Sequence, residues 1–319
     1  RYVLVFNGSI YNYLELRNYL LNIGIKLRTT SDTEVIIELF VLEGPKMLSR
    51  LQGMFSFVIW DMLKKKLIFA RDPFGIKPLY YYQKDGVTYF ASQIKSLLSI
   101  EGLKFEFSNK AIVSYYMWGN IEEPITLYKN TKSIKKGTCL IIDKNNNEEI
   151  IDYANIKNLI LNSEKINFKD HNEKLTYLRN IVEETVNYHH ISDVPRTLLL
   201  SSGIDSNVIL SAMDEKNKNN CSALTLDFKY KNQENETLLA KESSKINNIN
   251  HLVKEITSEE FKTLIEKFYK DMDSPTNDGF NNYLISYLAK KNNSKIIISG
   301  IGGDEFFSGY PSFNIIPKI

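Results

Sequence analysis

Thr197-Leu198-Leu199-Leu200-Ser201-Ser202-Gly203-Ile204-Asp205-Ser206 runs directly into Asn207-Val208-Ile209-Leu210-Ser211-Ala212-Met213. A continuous apolar run of strand length enters a Ser-Ser-Gly turn, after which Val208, Ile209, Ala212 and Met213 recur at the spacing of one helix face. The pattern predicts strand, tight loop, helix. Unpaired N–H groups at the helix start, the hydroxyls of Ser201, Ser202 and Ser206, and a glycine permitting close approach would together cradle phosphate oxygens. Asp205 would repel such an anion unless a divalent cation lay between them, so the motif implies magnesium. Taken alone it reads equally well as a loop ending a buried strand, with Asp205 as a helix cap.

A second stretch changes the balance. Lys295-Ile296-Ile297-Ile298-Ser299 leads into Gly300-Ile301-Gly302-Gly303-Asp304-Glu305-Phe306-Phe307-Ser308-Gly309-Tyr310. Its glycines let backbone approach a ligand, but Glu305 stands where a dinucleotide fingerprint needs its third glycine. Pairing Asp304 with Asp205 as two anionic ligands for one magnesium on pyrophosphate accounts for both motifs. The competing reading is a glycine-rich turn with Glu305 as cap. No Gly-x-x-x-x-Gly-Lys-Ser/Thr is present, which excludes the kinase-type phosphate loop.

The 319 residues carry 40 basic against 38 acidic side chains, a net charge of +2, with the basic residues dispersed. Neither nucleic acid nor a membrane surface is expected as a partner, and no apolar run is long enough to span a bilayer. The length predicts about two domains. Cys139 and Cys221 lie far apart in apolar strand-like runs, which favours buried thiols and a cytoplasmic setting. His171, His189, His190 and His251 show no metal-ligand spacing, leaving surface or packing roles. The chain opens on Arg1 already inside a strand and stops soon after Tyr310, and we expect it to be an internal piece of a longer protein.

Tyr2 to Phe6 reads as a strand, followed by a turn at Asn7 to Asn12 and a helix that Asn12 caps with Glu15 and Gly24 ends. Ser31 and Glu34 have capping-box spacing before a second helix. Strands are expected at 54–60, 67–70, 79–82, 87–91 and 139–142, giving an α+β domain over 1–150. The Asn/Lys/Asp/Glu-rich stretch from about 144 to 172 reads as linker or surface excursion, with 151–172 taken as the linker itself. From 173 to 319 helices at 173–188, 236–246, 259–269 and 281–291 alternate with strands at 197–200, 223–228 and 295–299. Such alternation predicts a parallel sheet with helices on its faces and ligands beyond its carboxyl edge.

The first motif resembles the Ser-Gly-Gly-x-Asp-Ser loop of ATP pyrophosphatases, with Ser202 replacing the first glycine. Beyond it, Asn-Gly-x-Ile-Tyr-Asn at 7 to 12, Ser31-Asp32-Thr33-Glu34-Val35, Gly53 to Asp61, Ala70 to Tyr80 and Gly-Gly-Asp-Glu at 302 to 305 follow in order. In this the chain resembles the glutamine-hydrolysing asparagine synthase family over nearly its whole length. The resemblance implies an N-terminal nucleophile glutaminase domain, an ammonia tunnel, and an ATP-pyrophosphatase domain that adenylates a carboxylate and lets ammonia displace AMP. Both domains would be incomplete here. It assigns Asn7 and Gly8 to an oxyanion hole and, with Asp32, to the glutamine site. It assigns Ser201, Ser202, Gly203, Asp205 and Ser206 to pyrophosphate, backbone near Leu200, Leu226, Ser299 and Gly300 to the ATP seat, and Asp205 and Asp304 to Mg2+.

Three departures qualify the resemblance. The nucleophile of that family is an N-terminal cysteine, absent from this chain, so the chain as given is not expected to hydrolyse glutamine. Ser9 stands where a glutamate usually holds the glutamine ammonium, and Ile301 where bacterial asparagine synthetases have a glutamate. Asp273 and Asp278 lie where the family builds its acceptor pocket, and each reads alternatively as a polar turn with a cap. Aspartate is the acceptor expected from the family, another carboxylate the alternative, and the resemblance allows a homodimer. The competing functions are an adenylating cyclase using an internal or peptide amine, of the β-lactam or lasso-peptide type, and a non-catalytic paralogue.

Overall fold

The structure, a computed structural model, describes residues 1–192, 194–227 and 234–315. It divides into two compact units, each described here by itself: Arg1–Ile166 with Met272–Asn277, and Asn167–Asp271 with Asp278–Ile319.

The first unit contains β1 (Tyr2–Ile10), α1 (Tyr13–Asn22), α2 (Asp32–Glu43), β2 (Gly53–Asp61), β3 (Lys66–Arg71), β4 (Tyr80–Lys84), β5 (Val87–Ala91) and α3 (Ile94–Leu98). It continues through α4 (Asn109–Trp118), β6 (Thr131–Ser133), β7 (Thr138–Ile142), β8 (Glu148–Asp152) and α5 (Ile156–Asn162). Its strands form two antiparallel sheets, ordered β1-β2-β3-β7-β8 and β5-β4-β6. Alternation along β2 and β3 decides the layering. Phe55, Phe57, Ile59, Ile68 and Ala70 pack with Leu16, Leu20, Ile36 and Leu39 of the helices, whereas Val58 and Phe69 pack with Tyr81 of the second sheet and with Leu79 and Ile134 that flank its strands. The central strands of the larger sheet are therefore buried on both faces, between helices and a second sheet.

Several local expectations need correction. β1 continues through Asn7 to Ile10, so the turn is confined to Tyr11 and Asn12. Asn12 precedes α1, but its side chain binds Arg50 O and Gln52 N, each at 3.0 Å, instead of capping the helix. Ser31 does cap α2 by accepting from Thr33 N, yet Glu34 turns away to accept from Arg28 N and Thr29 N, and no capping box forms. The polar stretch 144–172 carries β8, which pairs with β7, and α5. The Asp72-Pro73-Phe74-Gly75 turn is held from inside: fully buried Asp72 accepts from the N–H groups of Phe55, Phe74, Ile76 and Lys77.

The second unit contains α6 (His171–His189), β9 (Arg196–Leu199), α7 (Ile204–Ala212), α8 (Glu215–Asn219), β10 (Cys221–Asp227), α9 (Glu234–Ile246), β11 (Asn250–Glu255) and α10 (Ser258–Asp271). α11 (Gly279–Lys291), β12 (Ile296–Ile298), α12 (Gly303–Phe307) and α13 (Ser312–Ile315) complete it. The strands are all parallel in the order β11-β10-β9-β12. Leu198, Leu200, Leu210, Ala223 and Ala240 pack on one face, and Leu224, Ile256 and Leu288 on the other. Helices thus cover both faces, as the alternation predicts. Phe228, the expected end of the β10 strand, lies outside the described residues. Among the described residues no helix is long and apolar enough to cross a membrane. Both cysteines are buried free thiols, with burial pushing Cys221 up to about 11.

Candidate functional site

β9 and β12 are neighbours in the parallel sheet, so the loops leaving their carboxyl ends emerge side by side. The first loop is tied by its own hydroxyls. Ser206 Oγ lies 3.1 Å from Ser201 Oγ and accepts from Ser201 N at 3.2 Å, while Ser201 Oγ accepts from Gly203 N at 3.1 Å. Asn207 Nδ2 donates to Ser201 O and Gly203 O at 3.1 and 2.7 Å. Gly203 precedes α7 with φ −66° and no side chain caps that helix, leaving its first N–H groups facing the loop. Ser202 is not among the residues with positive φ, so serine fits where the ATP-pyrophosphatase pattern has glycine.

The second loop closes on the first at its glycines. A Cβ on Gly303 would stand 2.5 Å from Asp205 Cγ, and one on Gly300 would stand 2.7 Å from Asp205 Cβ and 3.1 Å from Ser206 N. The Asp205 carboxylate therefore occupies the space a side chain at 303 would need. On the other side a Cβ on Gly309 would meet Asp304 Oδ1 at 1.8 Å. Tyr310 donates its hydroxyl to Glu305 Oε1 at 2.9 Å, and its pKa is raised by that bond, then by burial and by the charges of Glu305, Asp304 and Asp205. Asp205, Asp304 and Tyr310 thus share one electrostatic neighbourhood. Tyr310 is a residue that spacing alone does not single out.

Leu200, Leu226, Ser299 and Gly300 lie at the carboxyl ends of β9, β10 and β12, beside these loops. Ile301 is 77% exposed and touches none of the loop hydroxyls through a hydrogen bond, as an aliphatic chain must. The donors gathered at the two loops are oxygens, the carboxylates of Asp205, Asp304 and Glu305 with serine hydroxyls, Glu305 being engaged by Tyr310. Among the described residues no group of three or more His, Cys, Asp or Glu could hold a metal by itself. That set suits a magnesium ion, which binds one or two carboxylates and completes its shell with phosphate oxygens and water.

In the first unit, Asn7 and Gly8 sit within β1, opposite Ser56 and Phe55. Gly8 has φ +153°, and a Cβ there would fall 2.2 Å from Met54 O, so only glycine fits. Asn7 Nδ2 donates to Ser92 Oγ at 3.2 Å, a partner the sequence gives no signal for. Asp32, at the start of α2, accepts from Ile10 N at 3.2 Å. The fold thus brings Asp32 to the end of the strand that carries Asn7 and Gly8. Asp273 does not stand free for a substrate ammonium. Its carboxylate accepts from Ile94 N and Lys95 N at 2.8 and 2.9 Å, within the first unit. Asp278 accepts from Asn281 Nδ2.

The family model of the glutamine amidotransferase domain matches residues 1–154, and that of asparagine synthase matches residues 177–318. Over 97% of its length the chain is 34% identical to asparagine synthetase [glutamine-hydrolyzing] 1 of Bacillus subtilis, covering 48% of that protein. It is 30% identical to the same organism's asparagine synthetase [glutamine-hydrolyzing] 2, covering 97% of this chain and 43% of that one. The chain spans about half the length of the curated relatives it matches. Among solved structures, glutamine phosphoribosylpyrophosphate amidotransferase from B. subtilis is 16% identical with a TM-score of 0.35, covering 80% of this chain and 61% of that one. That likeness is too slight to bear on the fold. With an amidotransferase domain followed by a synthase domain, and with the family's motifs in the family's order, the chain belongs to the glutamine-hydrolysing asparagine synthase family.

Proposed function

We propose that the second unit is the ATP-pyrophosphatase half of an amidotransferase. It adenylates a carboxylate, most economically aspartate, and the acyl-adenylate is opened by ammonia to give asparagine, AMP and pyrophosphate. The observation that carries this reading is the seating of Asp205 against Gly303 and Gly300, which joins the two motifs in one crevice. Ser201, Ser206 and the free N–H groups at the start of α7 then bind the β- and γ-phosphates. Asp205 and Asp304 would hold a magnesium ion, which when bound would supply positive charge against the pyrophosphate oxygens. Leu200, Leu226, Ser299 and Gly300 orient the nucleoside, and Ser202 and Gly203 let the phosphate chain lie close to the backbone. With Ile301 at the remaining position, attack by ammonia relies on proximity to an already reactive acyl-adenylate.

In the same reading the first unit binds glutamine, Asp32 taking its ammonium and Asn7 and Gly8 the charge that develops on its amide oxygen. The intact gene product, given ATP, magnesium and ammonium chloride, is expected to release pyrophosphate in an aspartate-dependent way and to form asparagine. Release driven by a different carboxylate would replace aspartate as the acceptor, and absence of release with any carboxylate would sink the adenylation reading. Ammonium makes this test independent of the glutaminase half.

A further inference from the structure

Leu200, the residue at the head of the phosphate loop, is held by both of its backbone polar groups. Its N–H donates to Leu224 O at 3.0 Å, and its carbonyl accepts from the Thr225 hydroxyl at 2.6 Å. Thr225 Oγ1 also lies 2.8 Å from His251 Nε2, and His251 Nδ1 lies 3.0 Å from Ser244 Oγ. Counting protons assigns the direction of the bonds at Thr225. A carbonyl only accepts, so the single Thr225 proton is spent on Leu200 O, and His251 Nε2 must be the donor to Thr225. In the neutral imidazole Nδ1 is then an acceptor, and the Ser244 hydroxyl, which also donates to Lys241 O at 2.8 Å, shares its one proton between that carbonyl and the ring. Burial, followed by the Lys241 charge, lowers the His251 pKa and so favours the neutral ring. Leu200, Thr225 and Ser244 are 3%, 7% and 3% exposed, so these bonds are made away from competing water.

We propose that Thr225 and His251 are positioning residues for the nucleotide site. A relay from His251 through Thr225, with Ser244 against the far side of the ring, fixes the Leu200 carbonyl, and with it the point at which the chain enters the phosphate loop. The relay spans three elements, α9, β11 and β10, none of which carries the loop itself. By sequence His251 has a surface or packing role; here its packing is directed at the site. The proposal rests on the reading of Leu200 as part of the ATP seat.

The test is ATP titration of the intact protein with magnesium chloride, together with hydrogen exchange of residues 200–206, for the wild type and four variants. Thr225→Val keeps the shape and removes the donor, and is expected to weaken ATP about tenfold. His251→Leu is expected to do the same, while Thr225→Ser stays within about twofold of wild type. The Thr225→Val/His251→Leu double variant is expected to bind no more weakly than Thr225→Val alone, because both break one chain. Wild-type affinity in Thr225→Val and His251→Leu, or effects that add in the double variant, would overturn the relay. Should ATP leave residues 200–206 unprotected in the wild type, the seat reading fails, and exchange without nucleotide decides. Faster exchange of 200–206 in Thr225→Val but not in Thr225→Ser sustains the relay, whereas equal rates refute it.

Discussion

At Gly303 a single methyl group has nowhere to go, because the Asp205 carboxylate already fills the space at 2.5 Å. Gly303→Ala must displace either the second loop or Asp205, and an ångström of misplacement at a reacting centre is worth about a hundredfold in rate. We expect ammonium-dependent pyrophosphate release to fall by about that factor while the melting transition moves little. Unchanged turnover would show that Asp205 does not act from this position. A different residue-scale prediction concerns stability. His190 is 2% exposed and neither of its ring nitrogens has a partner. Burial first, then the charges of Arg196 and His189, lower its pKa from 6.5 to about 4. Above pH 6.5 the ring is neutral folded or unfolded and carries no penalty. As the pH falls toward 4 only the unfolded chain takes up the proton, so folding weakens, and below 4 the loss levels off. His190→Leu removes this window. Its stability advantage over wild type, followed by urea denaturation and helical circular dichroism, should grow by roughly 2–3 kcal/mol between pH 7.5 and 4.5. An advantage that does not change with pH would show the ring to be solvated.

Among the elements, α3 has the least conventional start. Gln93 precedes it and makes no capping bond, and the cap comes instead from Asp273, 179 residues further along the chain. Asp273→Ala leaves two N–H groups unsatisfied and should cost the first unit about 1–2 kcal/mol, with Asp273→Asn costing less. Hydrogen exchange at Ile94 and Lys95 reads this directly, since faster exchange is expected only there and in the following turn. A cap supplied from so far away leaves no trace in local sequence, and this marks the general limit of what could be read. Strand and helix periodicity located β2, β3, α6, α7 and α11 because each has an apolar face repeating at its own period. β8 (Glu148–Asp152) was hidden because its place is fixed by pairing with β7, while its composition resembles a surface loop. α4 carries a Ser108 cap and a Gly119 stop, both legible in the local sequence. In the site, the two loops could be read from their residues. Their closeness follows from pairing Asp205 with Asp304, whereas the engagement of Asn7 by Ser92 and the charge neighbourhood of Tyr310 could not be read, because both depend on which elements are neighbours.

At the scale of the whole molecule, compact units and family matches divide the chain differently. The asparagine synthase match covers 177–318 without interruption, yet Met272–Asn277 belongs structurally to the first unit. Those six residues are attached there at both ends. Asp273 binds the start of α3, and Asn277 accepts from Tyr115 OH at 3.0 Å with its amide seated against Gly119, where a Cβ would come within 1.9 Å. A chain cut between Ile166 and Asn167 therefore yields a first unit that lacks part of its own contacts. Both tryptophans, Trp60 and Trp118, lie in this unit, so their fluorescence follows its unfolding alone. We expect fragment 1–166 to be less stable than the same unit in the intact protein by about 1–3 kcal/mol, the worth of a cap and a partly buried hydrogen bond. The Asp273→Ala/Asn277→Ala variant of the intact protein should lose a similar amount. A peptide spanning 270–279 should restore the fragment only at millimolar concentration, because the intact chain supplies the same segment at an effective concentration of that order. Equal stability of the fragment and the intact unit would mean that the six residues rest on the first unit without supporting it.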